Sequence, residues 1–417
     1  MKQLLSFNRT IRIRLLLNFF AVLMSAMVMP YTIVYFSTKI GLSLTTTMIF
    51  IIGCISIIGY LIGGRLADNI GRKSVIIASE VLAGIGFIII SYFDMLSIFY
   101  AFPILLSFSF IYFFQSLANP AYGALIIDVS DEDNRKTIYT YFMWLSSVAF
   151  AIGSLIGGFF FEVYSSILFA FVGITSLISA LCSYFYINEE KEVKESNTPS
   201  NSIETTSKLK FFSIFSSYVF VFLCIGELLI KLLKEQLPNY LSIRIVSNYP
   251  VEGFNFTGYE IISYLHVEDT IVVTLLATGI LNKKKKLSNQ TSLLLGLSLL
   301  IIGYVLLSYF LHPIWLLTGM LLISIGGLIY LPTLQTIKAN VIPKNARGTH
   351  LSVLGLIGAL GGMLSSLFIW GMQYLSETII TWLFVIIGGL ILLNYIIVYR
   401  LTYSNKRTEV NQLKNSI

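Results

Sequence analysis

Long runs of apolar residues, each about one membrane crossing in length and separated by short polar turns, dominate the chain. A hydrocarbon core of roughly 30 Å takes about 20 residues of helix to cross. Twelve segments reach that length, near 15–36, 45–63, 74–93, 98–121, 139–161, 167–186, 213–237, 260–281, 289–309, 314–335, 351–372 and 379–399. Their apolar residues are continuous rather than alternating, which predicts helices and not lipid-facing strands. The pattern therefore predicts an all-α polytopic membrane protein. One long polar stretch, INEEKEVKESNTPSNSIETTSKLK at 187–210, breaks the series in the middle and reads as a flexible linker. The expected organisation is an N-terminal six-helix bundle over 1–186, the linker 187–210, a C-terminal six-helix bundle over 211–403 and a tail over 404–417.

Charge sets the orientation. With the N-terminus inside, 24 of the 28 Lys and Arg residues fall on inner segments, whereas the outer loops hold only Lys39 and Arg244. Lys231 and Lys234 lie within the seventh segment and complete the total. This bias predicts that both termini lie in the cytoplasm. The net charge of +7 is then membrane-surface charge, and no nucleic-acid partner is implied. The run KKKK at 283–286 is expected to be an inner-face anchor. The first apolar run is a full span leading into further spans, so it is expected to be no cleavable signal peptide. Composition agrees with the class: 56% of residues are hydrophobic and 12% charged, with a mean hydropathy of +0.81. Cys54, Cys182 and Cys224 fall in apolar segments without metal-ligand spacing, which predicts buried structural thiols, no disulfide framework and no metal site.

The two halves repeat weakly. Pro120 and Arg135 recur as Pro332 and Arg347, each 212 residues later, and glycine-rich stretches follow at 151–158 and 355–363. Two facing six-helix halves form an architecture in which a midplane site opens alternately to each side.

The stretch GGRLADNIGRK at 63–73 occupies the turn between the second and third segments. Its glycines allow a tight turn and close packing, Asp68 suits a helix N-terminus, and Arg72 can pair with a carboxylate. It resembles the signature G-x-L-A-D-x-x-G-R-K of the major facilitator superfamily through Gly64, Leu66, Ala67, Asp68, Gly71, Arg72 and Lys73, with Asn69 where a basic residue is usual. The resemblance implies a conformational latch at this turn. Asp68 would face the region from Arg347 to His350, and Arg72 would face Asp128. The stretches ALIIDVSDEDNRK at 124–136, LPNYL at 237–241 and IYLPTLQT at 329–336 are similar to those of proton-driven multidrug exporters in the drug/proton antiporter branch. The carboxylates those exporters carry in helices 5, 7 and 10 correspond here to Phe142, Lys234 and Gly327, and Ser154 replaces the proline common in helix 5.

Charges inside a membrane helix face a cavity or a partner, because each costs about 2.5–3.5 kcal/mol at the helix centre. In the seventh segment Glu227, Lys231, Lys234 and Glu235 project within a face about 100° wide. Glu227 and Lys231 are one turn apart and can pair, whereas Lys234 and Glu235 can also snorkel to the outer interface. In the fourth segment Tyr112, Gln115, Ser116, Asn119 and Tyr122 form a polar stripe that suits either a substrate cavity or interhelical hydrogen bonding. Glu80 and the group His266, Glu268 and Asp269 are further protonatable candidates.

These readings predict a secondary transporter working by alternating access, exporting amphiphilic small molecules in exchange for protons, monomeric and without a cofactor. The alternative on the same fold is an importer or a lipid or peptide flippase. A membrane enzyme is disfavoured by the lack of a metal-binding cluster, a G-x-S-x-G element or a nucleotide-binding loop. A sensor is disfavoured by the lack of a soluble signalling domain.

Overall fold

The computed structural model describes residues 7–96, 98–128, 132–186, 217–284, 288–342 and 347–415. Every regular element among them is helical, and none is a strand. The long helices are α1 (Arg9–Ala26), α2 (Thr32–Ile40), α3 (Leu42–Ile70), α4 (Arg72–Asp94), α5 (Ala101–Asp128) and α6 (Glu132–Tyr186), followed by α7 (Tyr218–Lys234), α8 (Ser242–Asn248) and α9 (Gly258–Lys284). The chain continues through α10 (Asn289–Tyr309), α11 (Pro313–Val341), α12 (Arg347–Ser365), α13 (Leu367–Gly371) and α14 (Glu377–Asn415).

Among the described residues, nine helical segments are long and apolar enough to cross a membrane, against twelve predicted. The difference arises in three places. Segments 139–161 and 167–186 follow one another without a loop in α6 and so count once, although they are two helices separated by a kink at Tyr164, which leaves helical geometry at φ −122° and ψ 31°. The seventh segment ends as α7 after 17 residues and passes through the π-helical turn Leu237–Leu241 into α8. The eighth, α9, carries Glu260, Glu268 and Asp269.

Local chemistry explains the boundaries. The Asn8 side chain accepts from the Thr10 amide at the start of α1, and Ser288 accepts from the Thr291 amide at the start of α10. Pro313 opens α11 in a first-turn position, where its missing N–H costs nothing. Gly71 separates α3 from α4 at φ 95° and ψ 145°, a conformation that residues with a Cβ avoid. This is the physical reason for the last glycine of the 63–73 turn.

The chain forms two compact units, Met1–Glu192 with Pro238–Thr270, and Val193–Leu237 with Ile271–Ile417. In the first, α3 packs closely on α5 because Gly59 and Gly63 leave no side chain between the backbones: a Cβ on either would run into the carbonyls of Phe113 and Leu117. Beside this seam Ala67, Val75, Ile76, Leu117, Ala121 and Leu125 form a buried cluster that holds the 63–73 turn. A second core is aromatic, with Tyr35, Phe36, Phe108, Phe161 and Phe169 meeting mostly edge to face. Gly153 and Gly157 bring the first half of α6 against Leu23 and Met27 of the α1 region. There Tyr31 donates its hydroxyl to the Ser154 backbone carbonyl at 2.6 Å and lies 3.2 Å from the Ser154 hydroxyl, the second contact being one that proline would lack.

In the second unit α10 and α11 approach through Gly303 against Gly319 and Gly296 against Gly326. Pro120 and Pro332 both lie inside their helices, α5 and α11, which are 28 and 29 residues long. Large apolar residues such as Ile58, Leu61, Ile62, Phe102 and Leu275 are exposed, as a chain solvated by lipid requires. Cys54 is among the exposed residues, contrary to the buried thiol expected; Cys224 is buried and Cys182 intermediate.

Candidate functional site

The first unit encloses a cavity of about 380 Å³. Its polar wall contains Glu80 of α4, Gln115, Asn119 and Tyr122 of α5, and Ser176 and Ser179 of α6. Met29, Phe87, Phe150 and Val172 supply much of the apolar remainder. The α5 stripe read from the sequence therefore delivers three of its residues to one cavity. Tyr112 is not part of the lining, but its hydroxyl lies 3.5 Å from the sulfur of the cavity residue Met29. Ser79 Oγ, also on the cavity wall, is buried and has no hydrogen-bond partner among the described residues.

Glu80 is the chemical centre of this wall. It is 8% exposed, and its Oε1 accepts from Tyr122 Oη at 2.7 Å, Ser179 Oγ at 2.9 Å and Arg14 Nη1 at 3.5 Å. Oε2 lies 3.5 Å from Ser183 Oγ, which itself accepts from Arg14 Nη1 at 3.3 Å. The Arg14 guanidinium stacks over the Tyr122 ring, 4.5 Å from its centroid, and is 8% exposed. Ser176 fixes the helix behind the carboxylate by donating to the Glu80 backbone carbonyl at 2.7 Å. Four helical stretches thus converge on a single ion pair.

Sequence reasoning named Glu80 but counted Arg14 only as an inner-face charge. It stands just before the apolar segment 15–36, beside Arg9 and Arg12, where an inner-face charge is the ordinary reading, so its buried partner was not signalled. The serines at 176, 179 and 183 follow a spacing of three and four residues that places them on one face of α6.

The second unit holds a different arrangement. Glu227 of α7 accepts from Lys338 Nζ of α11 at 2.6 Å, and Lys231 pairs with Glu235. The expected pairing of Glu227 with Lys231 is therefore corrected. Lys338 reaches Glu227 from a neighbouring helix, and Lys231 turns one step further along α7, where both partners are partly exposed. Side-chain exposure is 11% for Lys338 and 26% for Glu227, against 44% for Lys231 and 31% for Glu235. Gly358, Gly361 and Gly362 of α12 lie against Glu227, Lys231 and Glu235, so the glycine-rich stretch makes room for this charged face. Tyr330 and Tyr395 are electrostatic neighbours of Glu227, and the Tyr395 hydroxyl is buried without a hydrogen-bond partner among the described residues.

At the 63–73 turn Gly64 approaches Pro120 of α5. Lys73 donates to the Tyr184 carbonyl at 2.8 Å and lies over the Tyr184 ring, which ties the start of α4 to the end of α6. The side chains of Asp68, Asp128 and residues 347–349, which the expected latch requires, lie outside the described residues. Among the other protonatable candidates, His266 stands edge-on to Phe150, a cavity residue, with ring centroids 5.2 Å apart.

The profile of the Major Facilitator Superfamily matches residues 14–366 and, separately, 272–415. The chain belongs to this superfamily. It is 25% identical over 97% of its length to a Na(+), Li(+), K(+)/H(+) antiporter of Planococcus maritimus, covering 98% of that protein. It is 24% identical to the class B tetracycline resistance protein of Escherichia coli, covering 71% of this chain and 72% of the relative. Among solved structures it is similar to a POT family transporter in complex with 5-aminolevulinic acid, with a TM-score of 0.73, 17% identity and coverage of 96% and 99% of the two chains. This superfamily member is therefore a multi-pass membrane transporter, whose curated relatives include antiporters and drug-resistance proteins.

Proposed function

We propose that the chain is a proton-coupled exporter of small amphiphilic molecules, resident in the bacterial cytoplasmic membrane as a monomer with both termini in the cytoplasm. The observation that carries this reading is the cavity of about 380 Å³ in the first unit. One wall offers hydroxyl and amide groups, including Ser79 Oγ, which has no partner among the described residues, and the rest is apolar and aromatic. A ligand with one polar end and one apolar body matches such a lining. The tetracycline-resistance relative and the stretches that resemble the multidrug exporter LmrP support the same substrate class.

Alternating access requires a device that holds one conformation and releases it each cycle. Gly64, Asp68, Gly71, Arg72, Lys73 and Asp128 are proposed to form that latch. Glu227, Lys231 and Glu235 are proposed to supply a second polar surface. A second reading is exchange of alkali cations for protons, favoured by the antiporter relative that matches nearly the whole chain.

Inside-out vesicles acidified internally separate the two. Export predicts gradient-driven uptake of ethidium or tetracycline, abolished when the pH gradient is collapsed. Alkali-cation exchange predicts instead that sodium or potassium dissipates the gradient while neither dye nor drug accumulates.

A further inference from the structure

We propose that Glu80 is the site where the coupling proton binds, and that Arg14 converts its protonation into a change of the cavity wall. The inference rests on the transport reading above and deepens it by naming the proton's residue.

Position is the first argument. Glu80 lines the cavity, whereas Arg14 and Ser183 do not, so the carboxylate stands between the cavity and the guanidinium. A proton entering through the cavity meets Glu80 before anything behind it.

Hydrogen-bond capacity is the second. The groups facing Glu80 are Arg14 from α1, Tyr122 from α5, and Ser179 and Ser183 from α6. On α4 itself, Lys73 is bound to the Tyr184 carbonyl at one end, and Asp94 accepts from Tyr35 and Ser165 at the other. Hydroxyls donate or accept by rotation, so three of the four partners can satisfy Glu80 whether it is a carboxylate or a carboxylic acid. The ion-pair partner of Glu227, the Lys338 ammonium, only donates. The first unit can therefore hold both protonation states of its buried acid.

Consequence is the third argument. Protonation removes the counter-charge of Arg14, which keeps its positive charge in a buried setting with the Tyr122 ring and Ser183 as remaining partners. Tyr122 and Ser179 then lose an anionic acceptor, and both line the cavity. One proton thus alters the donors and the charge that a bound molecule meets. By linkage, a bound molecule alters proton affinity to the same extent.

The test is an infrared pH titration of the purified protein together with transport in proteoliposomes, using ethidium, tetracycline, sodium and potassium as probes. A carboxylic-acid C=O band should titrate in the wild type, vanish in Glu80→Gln and return shifted in Glu80→Asp. For whichever probe the wild type transports, gradient-driven accumulation should fall at least about tenfold in Glu80→Gln while equilibrium exchange persists. The double change Glu80→Gln with Arg14→Met covers misfolding of the single variant, and the band should be absent there too. A band unchanged in these variants, or accumulation that survives in them, would overturn the proposal. If the wild type moves none of these probes under a gradient, the transport reading fails, and the infrared titration alone still decides whether Glu80 takes the proton.

Discussion

Arg14–Glu80 in the first unit and Lys338–Glu227 in the second are both interhelical ion pairs, yet they are built oppositely. The first pairs an arginine and a glutamate at 3.5 Å, with both side chains no more than 10% exposed and with Tyr122, Ser179 and Ser183 sharing the charge. The second is a single 2.6 Å contact between side chains 11% and 26% exposed. Distance alone would rank the second as stronger. Burial and partner number reverse the ranking for what is lost when one member is removed. A buried charge stripped of its partner keeps its full desolvation cost, whereas a partly hydrated one recovers some of it from water.

The largest expected effect follows directly. Arg14→Met should destabilise the protein by about 3–5 kcal/mol, and Arg14→Met with Glu80→Gln should recover most of that loss. Unfolding in mixed micelles of denaturing detergent measures both. A double variant as unstable as the single would mean that the pair contributes by packing rather than by charge. Lys338→Met should cost less, about 2 kcal/mol, because Glu227 retains contact with solvent. Equal losses at the two sites would break the comparison.

Part of this was legible in the sequence. Apolar run lengths determine membrane helices because the bilayer fixes their length, and the 63–73 turn announced its family through residues whose geometry allows few substitutes, Gly71 above all. The α5 stripe was visible because a helix repeats at 3.6 residues, and Gln115, Asn119 and Tyr122 do share a cavity. Partner choice was not legible. Glu227 has Lys231 one turn away on its own helix, and only the packing of α7 near α11 gives it Lys338 instead. Arg14 and Glu80 lie 66 residues apart, so their meeting depends on how α1 and α4 are arranged in space. The break between segments 139–161 and 167–186 was legible, because Glu162, Ser165 and Ser166 interrupt the apolar run there, and Tyr164 bends α6 within that gap.

A finer test of the same contrast is Tyr122→Phe. It removes one donor to Glu80 while leaving the ring that stacks on Arg14 in place. Because Ser179 and Arg14 still serve the same oxygen, the loss should be about 1.5 kcal/mol, the low end for a hydrogen bond to a charged group. Phenylalanine should also weaken binding of any cavity ligand that uses the hydroxyl, read by titrating ethidium fluorescence. A loss as large as that of Arg14→Met would show that the shared charge depends on one donor rather than several.

The smallest effect is expected at Lys231. Its partner Glu235 is one turn along the same helix, and both side chains are substantially exposed, at 44% and 31%. Such i,i+4 pairs contribute about 0.3–0.5 kcal/mol, since hydration and side-chain entropy offset most of the attraction. Lys231→Met should therefore shift stability by no more than about that amount. If Glu227 is served by Lys338 and not by Lys231, Lys231→Met and Glu227→Gln should be additive within about 0.3–0.5 kcal/mol. A coupling well above that range would mean that Glu227 exchanges partners between Lys338 and Lys231. The exposure of this face supplies an independent check, because Lys231→Cys should react readily with a water-soluble thiol reagent in the intact membrane. An inert thiol would place this stretch of α7 against lipid, and the contrast between a shared buried pair and a hydrated surface pair would then have to be redrawn from the bilayer rather than from water.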